Sequence, residues 1–170
     1  TNGGAFDVSP GGSLELDDVS FEYCQASKTG GVLNLKAGGT ANVTNSKFGY
    51  CTAVEHGGAL NMQGGELAVQ GCDFDGCTAG KSGGGICVQS GQLLVGGSKL
   101  VHCSAQEGGG LGLSSNEELQ LIQSSIKECS AQQKGGGISL KLGRLLVDGC
   151  TVAHCFADTG GGLDILQGAE

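Results

Sequence analysis

Proline, tryptophan and arginine are almost missing from this sequence of 170 residues, which has one proline, no tryptophan and one arginine, Arg144. The net charge of −8 excludes nucleic acid and anionic membrane surfaces as expected partners, because both bind basic patches. No apolar run approaches the roughly 20 residues of a membrane-spanning helix. Only seven side chains are aromatic, so we expect a thin interior built from Leu, Ile, Val, Ala and Cys.

Glycine is abundant, with 35 residues. The glycines do not occupy every third position, which excludes collagen. Apolar residues recur at regular intervals, which excludes a disordered linker. A double glycine, followed by a small and then an apolar residue, recurs in steps of 27, 27, 26, 25, 27 and 25 residues. We expect the second glycine of each pair to turn a corner. These glycines are Gly4, Gly31, Gly58, Gly84, Gly109, Gly136 and Gly161.

A cysteine recurs even more regularly, at a step of 27 and then four steps of 26 residues. An alanine stands two places after each cysteine, and a large apolar residue stands three places before it. Three matching columns over six repeats indicate a repeat protein. The cysteines, which we call the cysteine ladder, are Cys24, Cys51, Cys77, Cys103, Cys129 and Cys155.

Within each repeat the apolar positions alternate, as in β-strands. Three short strands joined by corners make one coil, and coils stack about 4.8 Å apart. Connections between parallel strands are right-handed in nearly all known cases. The sequence therefore predicts an all-β fold, a right-handed parallel β-helix of about six coils of 25 to 27 residues, with three strands per coil and the cysteine ladder facing inward. Where Ser114–Glu118 replace the middle glycine turn, we expect a longer polar loop.

Residues 1–170 are expected to form a single β-helix segment. The chain starts and stops within a repeat and shows no polar cap at either end. We therefore interpret it as a piece of a longer repeat protein, and expect that uncapped coils could support end-to-end or lateral self-association.

Two stretches resemble a known family. Gly57 to Leu60, and Phe74 to Ala79, are similar to the GGA-plus-aliphatic and FxxNxA repeats of the chlamydial polymorphic membrane proteins, autotransporter adhesins with β-helical passenger domains. The resemblance covers nearly the whole chain, but cysteine replaces the motif asparagine in all six repeats. It implies a β-helical adhesin located outside the cell or on its surface.

The sequence leaves several states open for its nine cysteines. The ladder could hold buried free thiols, or disulfides between neighbouring coils, since stacked Cα atoms fall within disulfide range. Alternatively, Cys72 could pair with Cys77, and Cys150 with Cys155, within a coil. Alternation places Cys87 between two inward residues, so we expect it to face outward as an exposed thiol.

No cluster of acids, bases or metal ligands stands out, and we predict neither catalytic residues nor a metal or cofactor. Asp73 and Asp75 point outward together, but the residues expected beside them in adjacent coils are not acidic. His102 and His154 share a column two coils apart, too far for one metal.

We therefore predict a non-enzymatic solenoid that serves as a rigid spacer or as a binding surface for a protein or carbohydrate partner. One alternative is ice or polysaccharide binding along the first-strand face, whose outward column is small and polar. Another is a carbohydrate-active enzyme whose site lies outside these residues.

Overall fold

The computed structural model of the chain describes residues 2–166 and residue 169. It confirms the all-β solenoid of about six coils, with parallel strands stacked in three sheets. At the usual coil spacing of about 4.8 Å, six coils make a rod roughly 30 Å long. The right-handed sense of the coil stays a prediction. In the described part of the chain, no helix is long and apolar enough to cross a membrane.

The strands are numbered in chain order. They are β1 (Phe6–Val8), β2 (Ser13–Asp17), β3 (Ser20–Glu22), β4 (Gln25–Ala26), β5 (Leu33–Leu35), β6 (Thr40–Thr44), β7 (Lys47–Gly49), β8 (Thr52–Ala53), β9 (Leu60–Met62), β10 (Glu66–Gln70), β11 (Asp73–Asp75), β12 (Thr78–Ala79), β13 (Ile86–Val88), β14 (Gln92–Gly96), β15 (Lys99–Val101), β16 (Ser104–Glu107), β17 (Leu111–Ile122), β18 (Ser125–Lys127), β19 (Ser130–Lys134), β20 (Ile138–Asp148), β21 (Thr151–Ala153) and β22 (Leu163–Ile165).

Each type of strand pairs in parallel with its counterpart one repeat away, so equivalent residues of successive coils lie side by side. The first and second strands of the coils belong to one sheet, with β17 common to both rows. The third strands form a six-stranded sheet from β3 to β21. A short strand follows each of the first five ladder cysteines, and these strands, from β4 to β19, form the remaining five-stranded sheet. Sequence analysis did not predict these short strands.

The core is a set of stacked apolar columns. Phe48 and Phe74 are 1% exposed, and their rings lie parallel with centroids 4.6 Å apart. Phe21 continues the stack on one side, at 5.5 Å from Phe48, and Leu100 pairs with Phe74 on the other. The side chains expected to face inward in the middle coils are buried, and this confirms the alternation from which the fold was predicted.

The double glycines make the corner before each first strand, and their two members have different tasks. Gly57 has a φ of 63°, in the left-handed region that favours glycine. Gly58 faces the next coil so closely that an added Cβ would lie 2.0 Å from the Gly84 carbonyl oxygen. The same close approach recurs from coil to coil. The second position of the pair therefore requires glycine, because there is no space for a Cβ atom.

One prediction about a turn is wrong. Ser114 to Glu118 lie within the continuous strand β17 and form no separate loop. The register against β20 shifts on both sides of Ser114, which indicates bulges. The backbone stays extended through this stretch, and Ser115 is buried with its Oγ donating to the Gly91 carbonyl oxygen at 2.8 Å.

Candidate functional site

The cysteine ladder lies at the corner after each third strand, and its middle members are fully buried. From Cys51 onward, each thiol has two acceptors, the carbonyl oxygen two residues earlier and one from the preceding coil; for Cys77 these are Asp75 at 3.7 Å and Phe48 at 3.3 Å. Neighbouring thiols and burial raise the pKa of Cys103 well above its ordinary value. Hydrogen bonds from the Cys103 and Cys51 thiols instead lower the pKa of Cys77, so it is full burial that keeps reagents in solution from the middle of the ladder.

The within-coil disulfides are not present, because all nine cysteines are free thiols. Cys72 and Cys77 lie at opposite ends of β11, and extended residues advance about 3.3 Å each, so their Cα atoms are well beyond the 7 Å limit for a bridge. The same argument separates Cys150 from Cys155 across β21. Disulfides between neighbouring coils are likewise absent from the ladder.

Cys72 and Cys150 belong instead to a second polar column that sequence analysis missed. Its other members are serines, and their hydroxyls link neighbouring coils. Ser98 Oγ accepts the backbone N–H of Cys72 at 3.1 Å and donates to the Gly96 carbonyl oxygen at 2.9 Å. The signal was available in the sequence, since the position five before each later ladder cysteine reads Ser46, Cys72, Ser98, Ser124 and Cys150.

The prediction that Cys87 is an exposed thiol is wrong, because Cys87 is only 3% exposed. The double-glycine corner folds back over the first strand and covers its outward side. An added Cβ at Gly83 would lie 2.8 Å from the Cα of Cys87. Burial in this layer raises the pKa of the Cys87 thiol to about 12. The same cover removes the first-strand face as the predicted ice- or polysaccharide-binding surface.

Beneath this cover runs a buried polar seam, which comprises the middle residues of the first strands and the corner residues above them. The Asn34 amide donates to Asp7 Oδ1 at 2.7 Å, and the Asn61 amide donates to Asn34 Oδ1 at 2.8 Å. Thr29 Oγ1 also donates to Asn34 Oδ1, at 3.0 Å. An asparagine ladder therefore exists in this protein, on a different column from the one that the family motif suggests.

The seam also contains three buried side-chain atoms without a hydrogen-bond partner among the described residues: His56 Nδ1, Ser139 Oγ and Asp164 Oδ2. Burial, and then the charge of Lys81, lowers the pKa of His56. His56 and Cys87 line a small cleft of about 150 Å³, together with Ser82 and Lys141. The high thiol pKa of Cys87 does not favour a nucleophilic role.

Two outward acids of the third strands, Asp73 and Asp75, are engaged with basic neighbours. Asp73 Oδ1 lies 3.8 Å from Lys99 Nζ. His102 stands between two carboxylates, with Nδ1 at 2.9 Å from Asp75 Oδ1 and Nε2 at 3.1 Å from Glu128 Oε2. The hydrogen bond to Asp75 is the main cause that raises the pKa of His102, and Glu128 adds to it.

This exposed cluster makes a pH-dependent contribution to stability. The raised pKa means that the folded state favours the imidazolium, so the contribution is fully present below the unfolded-state pKa of about 6.5 and is lost as the pH rises through the folded-state pKa. NMR titration of His102 should show a pKa above 6.5. The Asp75→Asn variant should bring it back toward that value. An unchanged His102 pKa in this variant would contradict the assignment.

An open depression, here called the trough, lies over the second strands. Its volume is about 570 Å³, and five successive coils contribute to it. Outward side chains of β2, β6, β10, β14 and the second half of β17 form two rows along the rod axis. One row is Ser13, Thr40, Glu66, Gln92 and Glu118, and the other is Glu15, Asn42, Ala68, Leu94 and Gln120.

The polar side chains of the trough make no hydrogen bonds or ion pairs with one another in the described part of the chain, whereas several outward side chains elsewhere pair between coils. Elsewhere, Thr44 donates to Asp17 at 2.6 Å, Thr78 is within 3.2 Å of Ser104, and Lys81 pairs with Glu55 at 3.4 Å. Within residues 2–166 and 169, none of the trough's hydroxyl, amide or carboxylate groups makes a side-chain hydrogen bond or ion pair. The trough is therefore the candidate functional site.

Comparison of this chain with protein-family profiles, with curated proteins and with solved structures finds no match.

Proposed function

We propose that this chain is a non-enzymatic β-solenoid that acts as a rigid scaffold and presents the trough as a binding surface. The observation that carries the proposal is the extent of the trough, where outward polar groups without side-chain partners follow one another over five successive coils. Polar groups without protein partners are available to a ligand at no cost in broken contacts.

Rigidity follows from the packing. The parallel strands of the middle coils are paired on both sides, and their inward columns are closely packed, so the trough rows keep a fixed spacing. A preorganised row of donors and acceptors loses little conformational entropy when it binds a repeating partner. This supports an adhesive or spacer role better than a role that needs movement.

A location outside the cell or on its surface is part of the proposal. It is supported by the resemblance to chlamydial surface adhesins, on residues 57–60 and 74–79. The thiols are compatible with an oxidising environment, because most of them lie inside the solenoid, away from oxidants in solution. Six of the nine cysteines are buried.

The test of the binding role is to block the trough without disturbing the core. Ala68 is half-buried and points outward from β10, so Ala68→Arg should place a long side chain across the trough and leave the circular dichroism spectrum unchanged. Beads coated with this variant should lose retention on whichever immobilised glycan or protein holds wild-type beads. The matched control is Thr78→Arg, on β12 of another sheet. Equal retention of both variants would contradict the proposal.

A further inference from the structure

The chemistry of the trough points to one class of ligand. Resting on the proposed binding function, we infer that the trough takes a polysaccharide chain that is uncharged or carries amino groups, lying along the rod axis. Five coils at about 4.8 Å spacing present side chains over roughly 19 Å, which is long enough to contact several sugar units at once.

Charge selects among polymers. The trough is lined by three carboxylates, those of Glu15, Glu66 and Glu118, and by no lysine or arginine. The row of acids disfavours uronic-acid polymers, sulfated glycans and nucleic acids, which need basic contacts. A neutral chain has no such repulsion, and an amino sugar would gain an ion pair.

Backbone pairing selects against an extended peptide. The strands β6, β10 and β14 each have neighbours on both sides. No strand edge in the middle of the trough is therefore free to accept a further strand, and the main-chain hydrogen bonds by which extended peptides are bound are not available. The ligand must be recognised through the side chains of the two rows.

Those side chains match hydroxyl groups. The amides of Asn42, Gln92 and Gln120 both donate and accept, and carboxylates accept, so together they satisfy a hydroxyl that does both. Between them, Ala68 and Leu94 are half-buried and give an apolar floor for the C–H face of a sugar ring. The lining has no aromatic ring, so each sugar contributes little and affinity depends on contacts repeated along the chain.

Affinity electrophoresis of the full chain tests this inference. The gels would contain hydroxyethylcellulose, soluble β-1,3-glucan, galactomannan, chitosan, polygalacturonate or gelatin. The trough variant is Gln92→Ala with Gln120→Ala, and the matched control is Gln106→Ala with Gln132→Ala, which removes two exposed glutamines from the short-strand face. We expect retardation by at least one neutral or amino polysaccharide, weakened about tenfold in the trough variant only.

The outcomes separate the inference from the proposed function. Trough-dependent retardation by gelatin or polygalacturonate alone would overturn the polysaccharide assignment and leave the binding surface intact. If no probe gives retardation that depends on the trough, both are overturned. Release of reducing ends from a bound polysaccharide would overturn the non-enzymatic role and keep the ligand class.

Discussion

Substituting Gly58 by alanine should unfold much of the protein. The new methyl group would lie 2.0 Å from the Gly84 carbonyl oxygen and 2.6 Å from the Thr78 nitrogen, both backbone atoms of the next coil. Neither atom can move without breaking backbone hydrogen bonds between the coils, including that from Gly58 N to Gly83 O at 3.1 Å. We expect a loss of about 4 kcal/mol or more in the free energy of unfolding, measured by urea denaturation.

Two other glycines serve as controls for this prediction. Gly38 has a φ of 81° and open space around its Cβ position, so Gly38→Ala should cost only the backbone strain, about 1–2 kcal/mol. At Gly49 the nearest atom is a side-chain carbon at 3.6 Å, so Gly49→Ala should be close to neutral. If Gly58→Ala were no more costly than Gly38→Ala, the close stacking of the corners would be wrong.

Substituting Phe74 by alanine should have the second largest effect. Its ring is 1% exposed and stacks on Phe48 with an interplanar angle of 8°. The cavity would lie in the middle of the rod, where rigid paired strands prevent collapse, so we expect a loss of about 3–5 kcal/mol. Loss of ring stacking acts in the same direction.

The neighbouring residue Asp73 gives the matched control, since it flanks Phe74 on the same strand and points outward. Its distance of 3.8 Å from Lys99 Nζ, with both side chains largely exposed, makes a weak ion pair. Asp73→Ala should change the free energy of unfolding by less than about 0.5 kcal/mol. A similar cost for both variants would mean that Phe74 does not face the interior.

Periodicity predicted most of the fold, because stacked coils force equivalent residues into the same environment. The cysteine ladder, the apolar columns and the corner glycines could all be recognised from their spacing. The same reasoning failed at Cys87. Alternation along the strand correctly predicted that its side chain points away from the core, but not that this side chain is buried. That side is covered by the double-glycine corner, and a fold-back of this kind depends on tertiary geometry that a two-residue alternation does not contain.

The trough could be predicted only in part. Alternation along the second strands indicated which residues face outward, but whether outward side chains pair with one another depends on register between coils. Thr44 and Asp17 meet because their coils are adjacent and in register. Gln92 and Glu66 are also neighbours in register, yet they stay unpaired. Only the three-dimensional arrangement distinguishes the two cases.

Peptide-resolved alkylation tests the central claim most directly, namely that the most regular columns of the repeat face inward. Native protein would be treated with N-ethylmaleimide, and the labelling of each cysteine followed by mass spectrometry. Cys24, Cys150 and Cys155 are partly exposed and should react at least about tenfold faster than Cys77, Cys87 and Cys103, whose access requires opening of the middle coils. All nine should react once the protein is denatured. Labelling of Cys77 or Cys103 at the rate of Cys24, or recovery of a Cys72–Cys77 disulfide, would contradict the account.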